Sequence, residues 1–582
     1  MKYQLRNKNY NNETAELALH DLLVDRGINK PLDWLQPNYT FEHSPMLFQG
    51  MEKGIRILKD TLSNTEANIM VVVDSDLDGY TSGAIILNLL KIVQRGQDIN
   101  FVLHPNKEHG IVLEDIPEDI DLLIVPDAGS SQKKEHLKLL NNGTKIIILD
   151  HHEMDNDMDY GELANNIVII NSQEENYPNH SLSGAGVALK FAQAYCEKNG
   201  IPFPNKLYSL AACGIIADVM DIGDLENKQI VNTGLRHLKE HPFLYQLIQD
   251  THYNNENPEP TIKDIGWVIG PNINAIIRLG TKEQKNIVFK SLVSPTLLVP
   301  STKKGEEEQE VYIYQEAVRL CKNAKKRQTT AVDRSIRIIE QELDIKNSDK
   351  AIVYVDENQD LTFELSGLIA NKLLSQYNRP VILLRRFKDD SISELRGSAR
   401  GKPVEGLENL KDTINGITGV EKAEGHAFAF GIGINEDMLN EFKAHLNSAL
   451  HKVNFNVNFY LVDIISKYNE LNIPIAEIAA REDVWGHGVD KPIALITDIP
   501  VDNYDFMGNE QQHIKVNCGK YDVLLFNTPE LAEKLIQGEK FNLDVIGEFS
   551  IDKSFNVGRL QIVVNEYELK EYTGKTVWDM IF

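Results

Sequence analysis

Short runs of consecutive apolar residues, each followed by a carboxylate, a histidine or an amide, recur through the first third of the chain. Ile69-Met70-Val71-Val72-Val73 runs into Asp74, and Leu122-Leu123-Ile124-Val125-Pro126 runs into Asp127. Ile146-Ile147-Ile148-Leu149 ends in Asp150-His151-His152, and Ile167-Val168-Ile169-Ile170 ends in Asn171. Unbroken runs of this length predict strands buried on both faces, as in parallel sheets covered by helices. Helix-like stretches separate them: Thr81 to Leu90, a Gly-rich helix start at Ser183-Gly184-Ala185-Gly186, and Leu207 to Asp218. This alternation predicts a doubly wound parallel α/β sheet, with the polar residues that follow each strand gathered along one edge.

Other textures bound this region. Residues 12 to 62 predict a small helical entry segment packed on the first sheet. From Glu306 to Glu342 no Pro or Gly interrupts a polar stretch, which predicts one long helix spanning on the order of 50 Å. A second α/β unit follows, with strands at Ala351–Val355 and Pro380–Leu384 around a helix at Gly367–Leu374. Beyond Asn454 the pattern shortens to alternating strands at Phe455–Tyr460, His513–Cys518, Tyr521–Phe526, Leu543–Gly547 and Leu560–Val564, which predict a small β-barrel. The expected domains are therefore 1–300, a connecting helix over 301–345, 346–453 and 454–582.

Composition narrows the class. With 582 residues, 42% hydrophobic and 25% charged, the chain has the make-up of a soluble multidomain protein. No apolar run is long enough to cross a bilayer, and the amino terminus lacks the apolar core of a signal peptide, so a cytoplasmic location and no membrane partner are expected. Cys196, Cys213, Cys321 and Cys518 are scattered, which argues against a disulfide framework, a zinc knuckle and an iron–sulfur cluster. The net charge of -26 speaks against a nucleic-acid partner when taken as a sum. Carboxylates that hold divalent cations contribute to that sum, however, and a local basic stripe can still bind a polyanion.

The strand ends carry the chemistry. Asp74-Ser75-Asp76-Leu77-Asp78-Gly79 spaces three carboxylates as a calcium loop does, but the glutamate that closes such a loop is absent and a buried strand precedes it. A catalytic divalent cation fits better. Two adjacent histidines at a strand end point in different directions, so one can bind a metal while the other reaches substrate and Asp150 fixes a ring tautomer. Carboxylates with imidazole suit manganese or magnesium. Asp218, at the end of an apolar helix, needs a partner.

In content and order these runs resemble the motifs of the DHH phosphoesterase superfamily. The succession of catalytic core, long helix, associated domain and terminal barrel resembles its RecJ-type exonucleases. The resemblance implies that Asp76, Asp78, Asp127, His151 and Asp218 ligate two divalent ions, Mn2+ or Mg2+, with Asp127 bridging and Asp74 a further ligand. Val72 stands where some relatives carry a histidine. His152 becomes a phosphate contact with Asp150 as its support. Gly270 to Gly280 resembles the segment that follows the catalytic core in RecJ-type enzymes, which implies Asn274 and Arg278 as phosphate contacts. Gly397-Ser398-Ala399-Arg400-Gly401 and Gly425-His426-Ala427-Phe428-Ala429-Phe430-Gly431 resemble the motifs of the DHH-associated domain, which implies a 5′-phosphate pocket at Ser398, Arg400 and His426. Glu424 replaces a glycine, and Gly401 a serine, of many relatives. The terminal segment, with Trp485-Gly486-His487-Gly488 at its entrance and Asn556-Val557-Gly558-Arg559 before the last strand, resembles an OB-fold. Lys515, Tyr521, Phe526 and Arg559 are its candidate strand contacts.

The activity so implied is a single-strand-specific 5′→3′ DNA exonuclease that works by two-metal hydrolysis and releases 5′ mononucleotides, in repair or recombination. A narrow cleft between the two α/β domains would exclude duplex. The expected partners are single-stranded DNA and a single-strand-binding protein or helicase, with the chain itself a monomer. A phosphodiesterase for short oligonucleotides or cyclic dinucleotides is the rival enzyme, disfavoured by the terminal barrel. A non-catalytic replication scaffold is the rival outside enzymes, disfavoured by the full set of carboxylates.

Overall fold

The computed structural model describes residues 1–6, 15–37, 41–93, 100–104, 109–155, 158–174, 176–252, 257–306, 308–343, 350–389, 392–455, 459–508, 511–552 and 558–572. Two units divide the chain: residues 5–322 with 462–582, and residues 1–4 with 323–461.

The larger unit is built on the expected parallel sheet. Its five strands lie in the order Asn100–Leu103, Ile69–Val73, Leu122–Pro126, Lys145–Asp150 and Ile167–Asn171. All neighbours are parallel, with Val71 beside Ile124, Ile124 beside Ile147 and Ile147 beside Val168. In chain order this is 2-1-3-4-5. Connections therefore leave in opposite directions from Ile69–Val73 and Leu122–Pro126, and open a crevice at their carboxyl ends. Val72, Leu123, Val125, Ile146 and Ile148 pack with Leu139 and Leu140 of the helix Lys133–Asn141. Val72 is thus a core residue, so the valine at that position contributes to packing and no ligand.

Three helices, Leu77–Val93, Gly184–Lys198 and Leu207–Ala217, pack on one another behind the crevice. The first begins four residues before the Thr81 expected from the sequence. The amide of Tyr80 already bonds to the Asp76 carbonyl at 3.0 Å, so Asp78 sits in the first helical turn rather than in a loop.

The same unit carries a seven-stranded sheet in the order Ile464–Lys467, Ile493–Pro500, Asn542–Asp552, Arg559–Lys570, Asp522–Leu525, His513–Asn517 and Tyr504–Met507. Val516, Val523, Val545, Phe549 and Ile562 form its core. The expected strands from 513 onward are present, and Ile464–Lys467, Ile493–Pro500 and Tyr504–Met507 add to them. Residues 456–458 of the expected strand Phe455–Tyr460, and Asn556 and Val557, lie outside the described residues.

The long helix runs from Ile313 to Glu342, about 45 Å, and not from Glu306. Glu310–Tyr312 instead pairs antiparallel with Leu298–Pro300, on a turn that uses the left-handed backbone of Gly305. The β-branched Val311 facing Val299 favours that ladder.

In the smaller unit five strands lie in the order Val420–His426, Ala429–Asn435, Ile392–Arg400, Val381–Asp389 and Ile352–Val355. The segment from Gly397 to Arg400 is a central strand, paired on both sides: Ser398 faces Leu383 and Gly431. The ladders on both sides therefore engage its backbone, and only its side chains are left to meet a phosphate. A Cβ on Gly397 would collide with the Leu383 carbonyl, so this glycine allows close strand approach.

Candidate metal centre

The carboxyl ends of three neighbouring strands bring the acidic motifs together. Asp74, Asp78 and Asp127 are buried, and His151 reaches in from the third strand end. Its Nε2 lies 3.3 Å from Asp127 Oδ1, 3.4 Å from Asp218 Oδ2 and 3.9 Å from Asp78 Oδ2. Three overlapping sets of candidate ligand atoms result among the described residues: Asp74, Asp76 and Asp127; Asp78, His151 and Asp218; and Asp127, Asp150, His151 and His152. The short distance from His151 to Asp127 joins them.

Backbone amides hold Asp74, Asp76 and Asp78. Asp78 accepts from Ser183 Oγ at 3.0 Å and from the amides of Gly184 at 2.8 Å and Ala185 at 3.0 Å, the first turn of the helix Gly184–Lys198. A helix N-terminus is a natural seat for an anion. Asp76 accepts from the Gly79 amide at 3.0 Å. Asp127 has φ 68, left-handed backbone that Asp tolerates better than most residues. Side-chain-free positions make the space: a Cβ on Gly184 would collide with Asp127, and one on Gly214 with Asp78.

Crowding sets the electrostatics. Burial and neighbouring carboxylates push the Asp76 carboxyl up to about 6 and that of Asp218 up to about 8. Burial above all, then Asp78, raises Asp127 well above the usual carboxylate range. Burial lowers His151, which keeps the imidazole neutral and able to ligate. Asp127 Oδ1 is buried without a hydrogen-bond partner among the described residues. An orphaned carboxylate oxygen among mutually repelling carboxylates, facing a neutral imidazole, fits divalent cations with a preference for oxygen ligands.

Asp150 and His152 form a second pair beside this cluster. Asp150 Oδ1 accepts from the amides of His151 at 2.7 Å and His152 at 3.2 Å, and lies 2.8 Å from His152 Nδ1. Its Oδ2 accepts from the Ser130 amide at 2.9 Å. The carboxyl of Asp150 falls below the ordinary range: hydrogen bonds and the two imidazoles overcome the opposing effect of burial. The hydrogen bond to Asp150 in turn raises His152 to about 9. The bond from His152 to Asp150 uses Nδ1, which leaves Nε2 directed away from Asp150.

Two phosphate candidates occupy the helix Gly270–Leu279. Asn274 and Arg278 are one turn apart, and neither side chain makes a hydrogen bond or ion pair among the described residues. Arg278 lies within electrostatic reach of Asp76. Sequence reasoning missed His109, whose Nδ1 is 2.7 Å from Asp74 Oδ2, while the Gly110 amide donates to Asp74 Oδ1 at 3.0 Å. It follows a different strand from Asp74, and no spacing signalled it. Ser183 is legible only as a helix cap, although its hydroxyl also reaches Asp78.

Ser398, Arg400 and His426 belong to the smaller unit. Arg400 and His426 both face Ala429, so the three residues share one sheet face, and Ser398 Oγ is 2.9 Å from Ser366 Oγ at the start of the helix Ser366–Tyr377. The OB candidates divide. Tyr521 is only 1% exposed and donates to the Tyr468 carbonyl at 3.1 Å, so it is core and no stacking platform. Lys515 and Arg559 are engaged by the buried Asp522 at 2.9 and 2.6 Å, a structural ion-pair cluster rather than a free basic groove. Phe526 remains exposed, edge-on to His513.

Residues 68–215 match the model of the DHH family, N-terminal domain, and residues 462–566 that of the RecJ OB domain. The chain is 32% identical over 540 residues to the "Putative SPbeta prophage-derived single-strand DNA-specific exonuclease YorK" of Bacillus subtilis (strain 168), covering 91% of each. It is 24% identical over 597 residues to the single-stranded-DNA-specific exonuclease RecJ of the same organism, covering 97% of this chain and 71% of RecJ. In fold it is similar to RecJ from Thermus thermophilus in complex with Mn2+, with a TM-score of 0.69 at 21% identity over 94% of this chain and 76% of that one. On these matches, and on an acidic cluster assembled at the ends of a DHH-type sheet, the chain belongs to the RecJ family of DHH proteins.

Proposed function

We propose that the protein is a metal-dependent, single-strand-specific DNA exonuclease that proceeds 5′→3′ and releases 5′ mononucleotides. The observation that carries this reading is the orphaned Asp127 oxygen where the ligand sets meet, with His152 held by Asp150 beside them and Arg278 within electrostatic reach of Asp76. Asp76, Asp78, Asp127, His151 and Asp218 would hold two divalent ions, Mn2+ or Mg2+, with Asp74 supporting one of them. When bound, such ions supply Lewis acidity for attack of water at phosphorus and for charge on the leaving oxygen.

The chain's own residues do the rest. His152, with Nδ1 held by Asp150, presents Nε2–H to a non-bridging phosphate oxygen. Arg278 and Asn274 fix the neighbouring phosphate. Attack breaks the bond between phosphorus and the 3′ oxygen of the terminal nucleotide. The phosphate stays on the 5′ oxygen of the shortened strand, and that terminal phosphate is the group proposed for Ser398, Arg400 and His426. The relatives named as single-strand-specific exonucleases support this substrate class. The setting proposed is repair or recombination in the cytoplasm, as a monomer beside a single-strand-binding protein or helicase. Among the described residues no helix is long and apolar enough to cross a membrane.

The test is cleavage of end-labelled single strands, duplexes and dinucleotides with Mn2+ or EDTA, beside Asp127→Ala. Metal-dependent loss of single strands from the 5′ end, absent in the variant, is expected. Cleavage confined to dinucleotides would instead favour a short-oligonucleotide phosphodiesterase, and no cleavage at all a scaffold. Equal degradation of 5′-blocked and 5′-phosphorylated strands would refute the polarity.

A further inference from the structure

We infer that Trp267 is a stacking platform for a nucleobase of the strand held at the metal centre. The inference rests on the single-strand reading above and names a residue that grips the substrate. Trp267 is 77% exposed, whereas Trp34 and Trp485 are 0% and 6% exposed. It lies in a π-helical turn, Ile265–Ile269, that continues directly into the helix carrying Asn274 and Arg278. Such turns are rare and often mark functional sites.

The turn is fastened on its other side. Ile265, Ile269, Ile273 and Ile276 are fully buried. An added Cβ on Gly266 would meet Ile216 of the helix capped by Asp218, and one on Gly270 would meet Leu77, between Asp76 and Asp78. The indole is therefore carried on a rigid support packed against two elements that deliver metal ligands. Asn274 and Arg278, four residues apart, lie along one side of the helix into which this turn leads. Val219, which follows Asp218 at the end of the helix Leu207–Ala217, is 54% exposed and left-handed at φ 59.

A nucleobase is the occupant these features select. Phosphates taken by Arg278 and Asn274 leave the attached bases beside an apolar, planar surface. Stacking on an indole accepts every base, as an exonuclease without sequence preference requires. The helix thus offers one contact to the backbone and one to the bases.

The test is steady-state cleavage of a 5′-phosphorylated single strand by Mn2+-loaded wild type, W267F, W267L and W267A, with a single abasic residue moved along the strand. W267A is expected to lower kcat/KM about tenfold and W267F to restore most of it. One abasic position is expected to slow wild type by a similar factor and W267A hardly at all. Unchanged kcat/KM in W267A, or W267L as active as W267F, would overturn the inference while leaving the exonuclease reading intact. So would an abasic penalty that persists in W267A. Wild type inert on every single strand would overturn both.

Discussion

Glu226 and Lys190 form an ion pair at 2.7 Å, and both side chains are essentially inaccessible to water. The Glu226 carboxylate also accepts from Tyr177 Oη at 2.9 Å to each oxygen, from the His43 amide at 2.9 Å and from Asn179 Nδ2 at 3.2 Å. Lys190 additionally donates to the His43 carbonyl at 3.1 Å and pairs with Glu42 at 3.3 Å. Lys190→Met removes the counter-charge and strands a buried carboxylate, a loss of about 3–5 kcal/mol. Glu226→Gln is milder, about 1–3 kcal/mol, because Lys190 keeps Glu42 and the His43 carbonyl. The double variant removes both charges and is expected to cost less than Lys190→Met alone, so the two changes do not add. Urea unfolding of wild type, both single variants and the double variant measures this coupling. The network also ties into the site: the neighbouring Asn227 donates to the carbonyls of Ser181 at 2.7 Å and Asp221 at 2.8 Å, beside the Asp78 cradle and the Asp218 loop. Lys190→Met is therefore expected to raise the Mn2+ concentration needed for half-maximal cleavage. A cost below about 1 kcal/mol for Lys190→Met, or singles that sum to the double, would refute the reasoning.

Ser183→Ala removes a helix cap and one hydrogen bond to Asp78; a stability loss of about 1 kcal/mol and weaker Mn2+ binding by calorimetry are expected, with Ser183→Thr restoring both. Gly488 is left-handed at φ 79, and a Cβ there would collide with Asp221 in the loop after Asp218; Gly488→Ala is expected to reduce cleavage on the order of tenfold or more, whereas Gly519→Ala, also at φ 79 but in open space, serves as the control. His241 is buried, with Nε2 3.1 Å from the Leu292 carbonyl, and burial pulls it down to about 4. The unfolded chain then takes up a proton first as pH falls, so this group's contribution is complete above about pH 6.5 and lost toward about pH 4, a change of about 3 kcal/mol. Urea unfolding across that window should show a shallower pH dependence in His241→Gln, and an unchanged slope would refute the assignment.

Apolar runs capped by aspartate, histidine or asparagine were sufficient to locate four of the five strands of the parallel sheet and the acidic cluster at their ends, because strand burial and strand-end polarity are written in consecutive residues; the half-exposed edge strand Asn100–Leu103 carried no such run. Asp150-His151-His152 shows how far such local reading reaches: it gave the two imidazoles different surroundings, and in the structure His151 meets Asp78, Asp127 and Asp218 while His152 is held by Asp150. The roles of Tyr521, Lys515 and Arg559 were not legible, since an alternating strand does not reveal which of its faces is core, or that Asp522 claims both cations. The same holds for the start of the long helix, where pairing with a distant strand overrode a helix-compatible stretch. His109 beside Asp74, the helix amides around Asp78 and the exposed face of Trp267 depend on segments far apart in the chain. Their meeting is set by packing between helices and sheet, which no local pattern encodes.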